Sequence, residues 1–477
     1  MEMDRLDQTL NAYFGYDSFK GSQKEIITSI LAGEDVIAFL PTGMGKSLTY
    51  QLSGLLLPGL VLIISPLLSL MEDQVDQMKK MGLKNSASLN SLKSSVQKRE
   101  ILRQVNSYKY LFLSPEMLMQ QDVRSILRES VISLIVVDEA HCISQWGSDF
   151  RPDYLRLEEW IGEYSNVQKL ALTATATRQV RQDIEKVLRL EKPSVFQSSV
   201  NRHNIYYQTE FLPNETSKLE RIEELMHQTS TSGIVYTLSR KKADDYAEIL
   251  RQKGYSIVAY HAGLEKEDRL IIQQQFINGE LDWIVATSAF GMGVHKADVR
   301  FVIHDYLPGS IHEYMQESGR AGRDGVQSAS VILLHERDHE KTIFTKTNGM
   351  VNESDLSLFT HYEGSLSELV ENGLVEETKL RIWSYWKERL QYEELESHFN
   401  RLKAGKMKDI FAVQSLFYED RCIRKQLVEY YGEDLTDQQT PCCSVCDAEF
   451  SSLILSFTRE KPLIENSDWL NRLRNLL

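Results

Sequence analysis

Between about residues 24 and 200, short apolar runs alternate with stretches of helical period: DVIAFL, LVLIIS, YLFLS, SLIVVD and KLALTAT. Runs this short and this rich in Val, Ile and Leu predict strands buried on both faces. Strands separated by helices predict a parallel sheet with right-handed crossovers. From about 207 to 337 a second series follows: GIVYTLS, SIVAYHA, WIVATS, VRFVIHD and ASVILL. The two series match in architecture without repeating in sequence, so two α/β lobes are expected, joined near Asn201 to Tyr207. After about 340 the strand pattern stops, and residues 353–430 are polar and helical in period. The expected division is 1–206, 207–340 and a mainly helical 341–477. The tail SDWLNRLRNLL suits a short amphipathic helix packing back on the core.

Composition changes this picture little. At 477 residues the chain is too long for one core. A net charge of −14 argues against a nonspecific nucleic-acid coat but leaves room for a local basic channel. The opening MEMDRLDQTL lacks a signal-peptide pattern. Ser47 to Met71 carries no charged residue and is long enough to span a bilayer, but Gly54, Pro58, Gly59 and Pro66 interrupt it. We therefore read it as helix, turn and strand, with no membrane span. Five cysteines without an export signal point to a reducing compartment, and four of them cluster in the manner of metal ligands: Cys422, Cys442, Cys443 and Cys446.

Candidate chemistry starts at LPTGMGKS, Leu40 to Ser47, between a strand and a helical pattern. Gly43 and Gly45 let backbone N–H groups approach phosphate oxygens. Lys46 supplies a point charge for the β- and γ-phosphates, and Ser47 offers a hydroxyl to Mg²⁺. Leu40 stands where the general phosphate-loop pattern has its first glycine, and a structural Gly-rich turn is the bland alternative. LIVVDEAH, Leu134 to His141, is an apolar strand ending in carboxylates. Asp138 suits Mg²⁺, and Glu139 suits the orientation and deprotonation of an attacking water. Strand ends at the carboxyl edge of a parallel sheet are where such sheets bind ligands. An exposed acidic pair is the alternative. QESGRAGRDG, Gln316 to Gly325, places Arg320 and Arg323 on one helical face, where they could reach a γ-phosphate across a cleft.

Together these motifs resemble superfamily 2 helicases of the DEAH-box kind, and more narrowly the RecQ family of DNA helicases. The resemblance runs from about Phe14 to Gly325, and more loosely to Asp447. IISPLLSLMEDQV, LFLSPE, LTATA, YHAGL and ATSAFGMGVHKADVRFVIH resemble the remaining helicase motifs. It implies two RecA-like lobes followed by a helical zinc-binding subdomain. It implies catalytic roles for Lys46, Asp138, Glu139, His141, Gln316, Arg320 and Arg323. The loop Thr42, Gly43, Met44, Gly45, Lys46 and Ser47 would hold ATP, with Mg²⁺ on Ser47 and Asp138. FGYDSFKGSQ resembles the family's adenine-recognition motif: Tyr16 would stack on the base and Gln23 read its edge. Lys20 replaces the usual arginine, and Ser22 a usual glycine. HCISQWGSDFRPDY resembles the aromatic-rich loop, so Trp146, Phe150 and Arg151 would engage single-stranded DNA and couple it to Glu139 and His141.

Cys422 and PCCSVCD resemble the family's zinc subdomain, and C-x₂-C between Cys443 and Cys446 suits one Zn²⁺. The family's last cysteine is here Glu449, and Cys442 is the expected replacement. A three-cysteine site completed by Asp447, or no metal, stay open. Arg401 to Lys425 carries seven basic and three acidic residues with Phe411, Phe417 and Tyr418 interleaved, a patch suited to a duplex backbone or to solvent. About thirty residues follow Cys446, too few for the winged-helix and terminal helical modules of larger members. The resemblance implies a monomeric, Mg²⁺-dependent ATPase in the cytoplasm, at the bacterial nucleoid. It would translocate 3′ to 5′ on single-stranded DNA and unwind duplexes in recombination or repair. An RNA helicase, and a scaffold with weak ATPase, are the competing readings.

Overall fold

The computed structural model describes residues 2–457 apart from 42, 67, 92, 145–151, 175–176, 230, 292–295, 363, 437–439 and 448–449. Thirteen strands form two sheets among the described residues. The first orders β3 (Ser86–Leu89), β4 (Tyr110–Leu113), β2 (Leu60–Ile64), β5 (Ile132–Val137), β6 (Gln168–Thr173), β1 (Val36–Phe39) and β7 (Ser194–Gln197). The second orders β10 (Ile257–Tyr260), β11 (Trp283–Ala286), β9 (Ser232–Tyr236), β12 (Val299–His304), β13 (Ser328–Leu334) and β8 (Ile205–Phe211). Among the described residues every strand pairing in either sheet is parallel. The architecture is two parallel-sheet, RecA-like lobes with a helical C-terminal region.

All ten apolar runs are strands. Nine of them lie inside the sheets and β10 at an edge; helices cover both faces, so on β5 Leu134 and Val136 face one core cluster and Ile135 and Val137 the other, all without exposure. Parallel register then aligns the strands' carboxyl ends. β5 ends at Val137 and β1 at Phe39, so the carboxylates and the glycine-rich loop emerge on the same edge. The run through Pro58 and Pro66 is a helix, Lys46–Leu56, followed by β2. Among the described residues no helix is long and apolar enough to cross a membrane.

The C-terminal region is not a separate body. The helix Tyr392–Tyr418 has 27 residues. Its first part, with Leu395 and Phe399, joins a small helical core over 351–402. Its last part, with Ile410, Val413, Leu416 and Phe417, joins the second lobe's core together with Cys442 and Cys443. The cysteine loop also forms a parallel bridge from Cys443 to Tyr207 on β8. The small helical core reaches back to the first lobe through an Arg389–Glu159 ion pair.

Candidate active site and cysteine centre

The glycine-rich loop leads into the helix Lys46–Leu56 with Gly43 at φ 92° and Gly45 at φ 69°, both left-handed. A Cβ on Gly45 would stand 2.7 Å from Gln23 Nε2. A loop with glycine at these two turns, opening a helix N-terminus, is a cradle for phosphate oxygens. The buried Gln23 braces it: Nε2 donates to the carbonyls of Met44 (2.8 Å) and Gly45 (3.1 Å), and Oε1 accepts from the Lys20 N–H (2.8 Å). The structure thus commits the Gln23 amide to the loop. Tyr16 is 54% exposed and Lys20 exposed, at the rim. Ser47 is half-buried on the first helical turn. Thr42 lies outside the described residues.

Lys46 Nζ sits 3.3 Å from Glu139 Oε1, joining the loop to the carboxylates. Asp138 is half-buried, and its Oδ1 accepts from the Glu139 N–H at 2.9 Å. Burial first, and the Glu139 charge second, push the Asp138 carboxyl up to about 6, opposed by Lys46. Glu139 itself adopts φ 48°, a left-handed turn that a β-carbon disfavours, and its buried Oε2 has no hydrogen-bond partner. Strain and an unsatisfied acceptor at one carboxylate mark a group held for chemistry rather than for stability. His141 Nδ1 lies 3.4 Å from it.

His141 is fully buried, and desolvation, then Lys46, lowers it to about 3, so the ring is neutral. Gln316 Nε2 donates to His141 Nε2 at 3.3 Å and to His312 Nε2 at 2.9 Å. Both rings therefore accept at Nε2 and carry their proton on Nδ1, which in His141 donates to Thr173 Oγ1 at 2.9 Å. The two rings pack with centroids 4.2 Å apart. His312 was not legible as a site residue in the sequence; it lies one turn before Gln316 on the helix Ile311–Ser318, and only i, i+4 spacing hinted at it.

Arg323 meets the loop from the second lobe: a Cβ on Gly43 would touch its Cγ at 3.7 Å. Burial first and Arg320 second lower Arg323 to about 9. Arg320 is 5% exposed, and its Nε has no hydrogen-bond partner. The buried Arg320 and the half-buried Arg323, the latter beside the glycine loop, suit an anion there. Their loop is fixed by Arg202, a residue the sequence reading passed over, which donates to the carbonyls of Gly319 (3.1 Å), Ala321 (3.0 Å) and Gly322 (2.7 Å). Trp146, Phe150 and Arg151 lie outside the described residues. The loop's flanks do not: Tyr154 is fully buried and donates to the Asp138 carbonyl at 3.4 Å.

The four clustered cysteines meet. Their Sγ atoms lie within 4.8 Å of one another, with 3.7 Å for Cys422–Cys442, 3.9 Å for Cys422–Cys443 and 3.6 Å for Cys443–Cys446. A tetrahedral Zn²⁺ with Zn–S near 2.3 Å has S–S edges of about 3.8 Å, so the donor set fits that ion. Asp447 Oδ2 accepts from the Cys442 N–H at 2.8 Å, a brace for the loop. Hydrogen bonds from Cys422 and Cys442 lower Cys443, while burial raises Cys446 to about 12. The buried Arg424 donates to Asn201 Oδ1 (2.9 Å) and to the carbonyls of Arg202 (2.7 Å), Ile205 and Cys442. It ties the cysteine loop to the segment between the lobes.

Residues 20–184 match the DEAD/DEAH box helicase family, and 217–325 the helicase conserved C-terminal domain. The chain is 40% identical to a probable ATP-dependent DNA helicase RecS of Bacillus subtilis, over 99% of each chain. It is 36% identical to the ATP-dependent DNA helicase RecQ of Pasteurella multocida, over 92% of this chain and 61% of that one. The chain belongs to the RecQ helicase family. Among solved structures, a Mycobacterium smegmatis helicase Lhr bound to single-stranded DNA and AMP-PNP shares its fold (TM-score 0.58, 20% identity, 87% of this chain, 58% of that one). So does Mss116p bound to single-stranded RNA and AMP-PNP (TM-score 0.61, 16% identity, 86% and 91%). The fold thus hosts either nucleic acid, and membership of the RecQ family, not the fold, selects DNA for the reading below.

Proposed function

We propose that this chain is a Mg²⁺-dependent ATPase that translocates 3′ to 5′ on single-stranded DNA and unwinds duplexes in repair or recombination. It would act as a monomer in the cytoplasm, at the nucleoid, with lobes over 1–206 and 207–340 and a helical, zinc-binding region over 341–477. The observation that carries the reading is the composite site: glycine loop and carboxylates from one lobe facing Gln316, Arg320 and Arg323 from the other. The loop of Gly43 to Ser47 would hold the nucleotide's phosphates, with Tyr16 against the base. Ser47 and Asp138 would hold Mg²⁺, which supplies charge neutralisation. Lys46 would turn from Glu139 toward phosphate, freeing the carboxylate whose Oε2 has no partner. Glu139 then orients water and takes its proton. Arg320 and Arg323 stabilise the charge that develops on the phosphoryl oxygens. Zn²⁺ on Cys422, Cys442, Cys443 and Cys446 would brace the segment between the lobes through Arg424.

Coupling to DNA would run through the loop 145–151, with Trp146, Phe150 and Arg151 on the strand. Its two flanks are anchored beside the carboxylates, at His141 and Tyr154, so a strand drawing the loop moves the site. Unwinding of 3′-tailed and 5′-tailed duplexes tests the proposal. The account expects ATP-dependent unwinding of the 3′-tailed substrate, absent without Mg²⁺; unwinding restricted to the 5′ tail, or to RNA duplexes, contradicts it.

A further inference from the structure

The helix Tyr392–Tyr418 has two opposite stripes. Leu395, Phe399, Leu402, Lys406, Ile410, Val413 and Phe417 recur at intervals of three and four and are buried or half-buried. On the other side Arg401, Ala404, Lys408, Phe411, Ser415 and Tyr418 recur at the same intervals, and all six are exposed. A solvent stripe is normally polar. This one holds two exposed aromatic rings, Phe411 at 45% and Tyr418 at 38%, two cations, two small residues and no acid. Phe211, 55% exposed at the end of β8, extends the row by an edge contact on Tyr418, centroids 4.9 Å apart.

The cations are uncommitted. Arg401, Lys408 and the flanking Lys403 take part in no ion pair among the described residues, in a chain whose net charge is −14. The carboxylates near the far end are occupied: Asp338 by Lys218, and Glu419 by Arg421. Over the eighteen residues from Arg401 to Tyr418 the stripe runs about 25 Å, and Ala404 leaves room for a close backbone.

We propose that this stripe is a second contact surface for single-stranded DNA, outside the cleft between the lobes. Free cations suit phosphates, and exposed rings at regular intervals suit unpaired bases, which stack on any aromatic face. A duplex would use the cations and leave the rings idle. The inference rests on the DNA reading above, and extends it to a helix that is rigidly built into the second lobe's core, so that a strand held there moves with that lobe.

The test compares the full chain with an Arg401→Gln, Lys408→Gln, Phe411→Ala variant. Binding is measured by anisotropy with oligonucleotides of about 10 and about 30 nucleotides, chosen against site sizes of 4–16 per binding surface. The wild type should gain affinity with length. The variant should keep its affinity for the short strand and its maximal DNA-stimulated ATP turnover, and lose roughly tenfold on the long one. Its salt slope should fall by about 0.7 per phosphate contact removed. Equal loss on both lengths, unchanged binding of both, or a change in sedimentation instead would overturn the inference, the last assigning the stripe to a second copy. Melting temperature and zinc content, unchanged in the variant, separate it from misfolding. Absence of DNA-stimulated turnover in the wild type would fall on the proposed function instead.

Discussion

Glu139 and Asp138 are adjacent carboxylates in unlike settings. Glu139 sits in a strained turn against Lys46; Asp138 is desolvated and held up to about 6. The sign of the Asp138 shift gives a stability prediction. A carboxyl raised in the folded state destabilises the fold once ionised, so the cost is absent below about pH 4 and complete above about pH 6. Asp138→Asn should therefore raise the stability at pH 7.5 by on the order of 1–3 kcal/mol, read as a higher melting temperature, and leave it unchanged at pH 4. An equal effect at both pH values would contradict the assignment. Glu139→Gln should leave the fold intact and lower turnover by roughly 10²–10⁴-fold, read in single-turnover hydrolysis; a fully active variant would remove Glu139 from its role. At this scale much was legible. Lys46, Asp138, Glu139, Gln316, Arg320 and Arg323 stand in recognisable local strings, and the fold brings those strings together. Gln23 shows the limit, because nothing local says that its amide braces Met44 and Gly45. His312, Arg202 and Arg424 were illegible, because each acts through a partner distant in sequence.

Among elements, ten strands were readable from apolar runs: nine lie inside the sheets, where burial on both faces removes polar positions, and β10 is an edge. β3, β7 and β8 were not. SASL and SVFQ have four residues each with serine or glutamine inside, and IYYQTEF turns polar halfway; all three are sheet edges, where one side meets loops or solvent. β8 gains a reason to be there only through β13 and the cysteine loop. That junction has its own test. Arg424→Met would take a donor from Asn201 Oδ1 and from the carbonyls of Arg202, Ile205 and Cys442, although the Arg202 and Cys442 carbonyls keep the backbone N–H groups of Ile205 and Tyr207. A loss of at least about 2–3 kcal/mol in denaturant unfolding is expected, with faster zinc release to a chelator. Unchanged stability and metal retention would show that the cysteine loop stands independently of the segment between the lobes.

For the whole molecule, the lobes meet through contacts that only closure can form: Gln316 on His141, His312 against His141, Arg323 over Gly43, and Gln273 Nε2 donating to Asp73 at 3.4 Å. The Ser199 hydroxyl donates to Glu433 Oε2 at 2.6 Å beside the segment that joins them. The site is complete only when the lobes are together, which makes ATP turnover a report on closure. Arg320→Ala should accordingly cost about 10³-fold or more in turnover while leaving nucleotide affinity within a few-fold, measured by equilibrium binding. The central claim is that a DNA strand drives this closure. The measurement is ATP hydrolysis with no nucleic acid, with single-stranded DNA and with single-stranded RNA, beside Glu139→Gln. Strong stimulation by DNA alone, lost in the variant, is the predicted result; equal stimulation by RNA, or none by either, would contradict it.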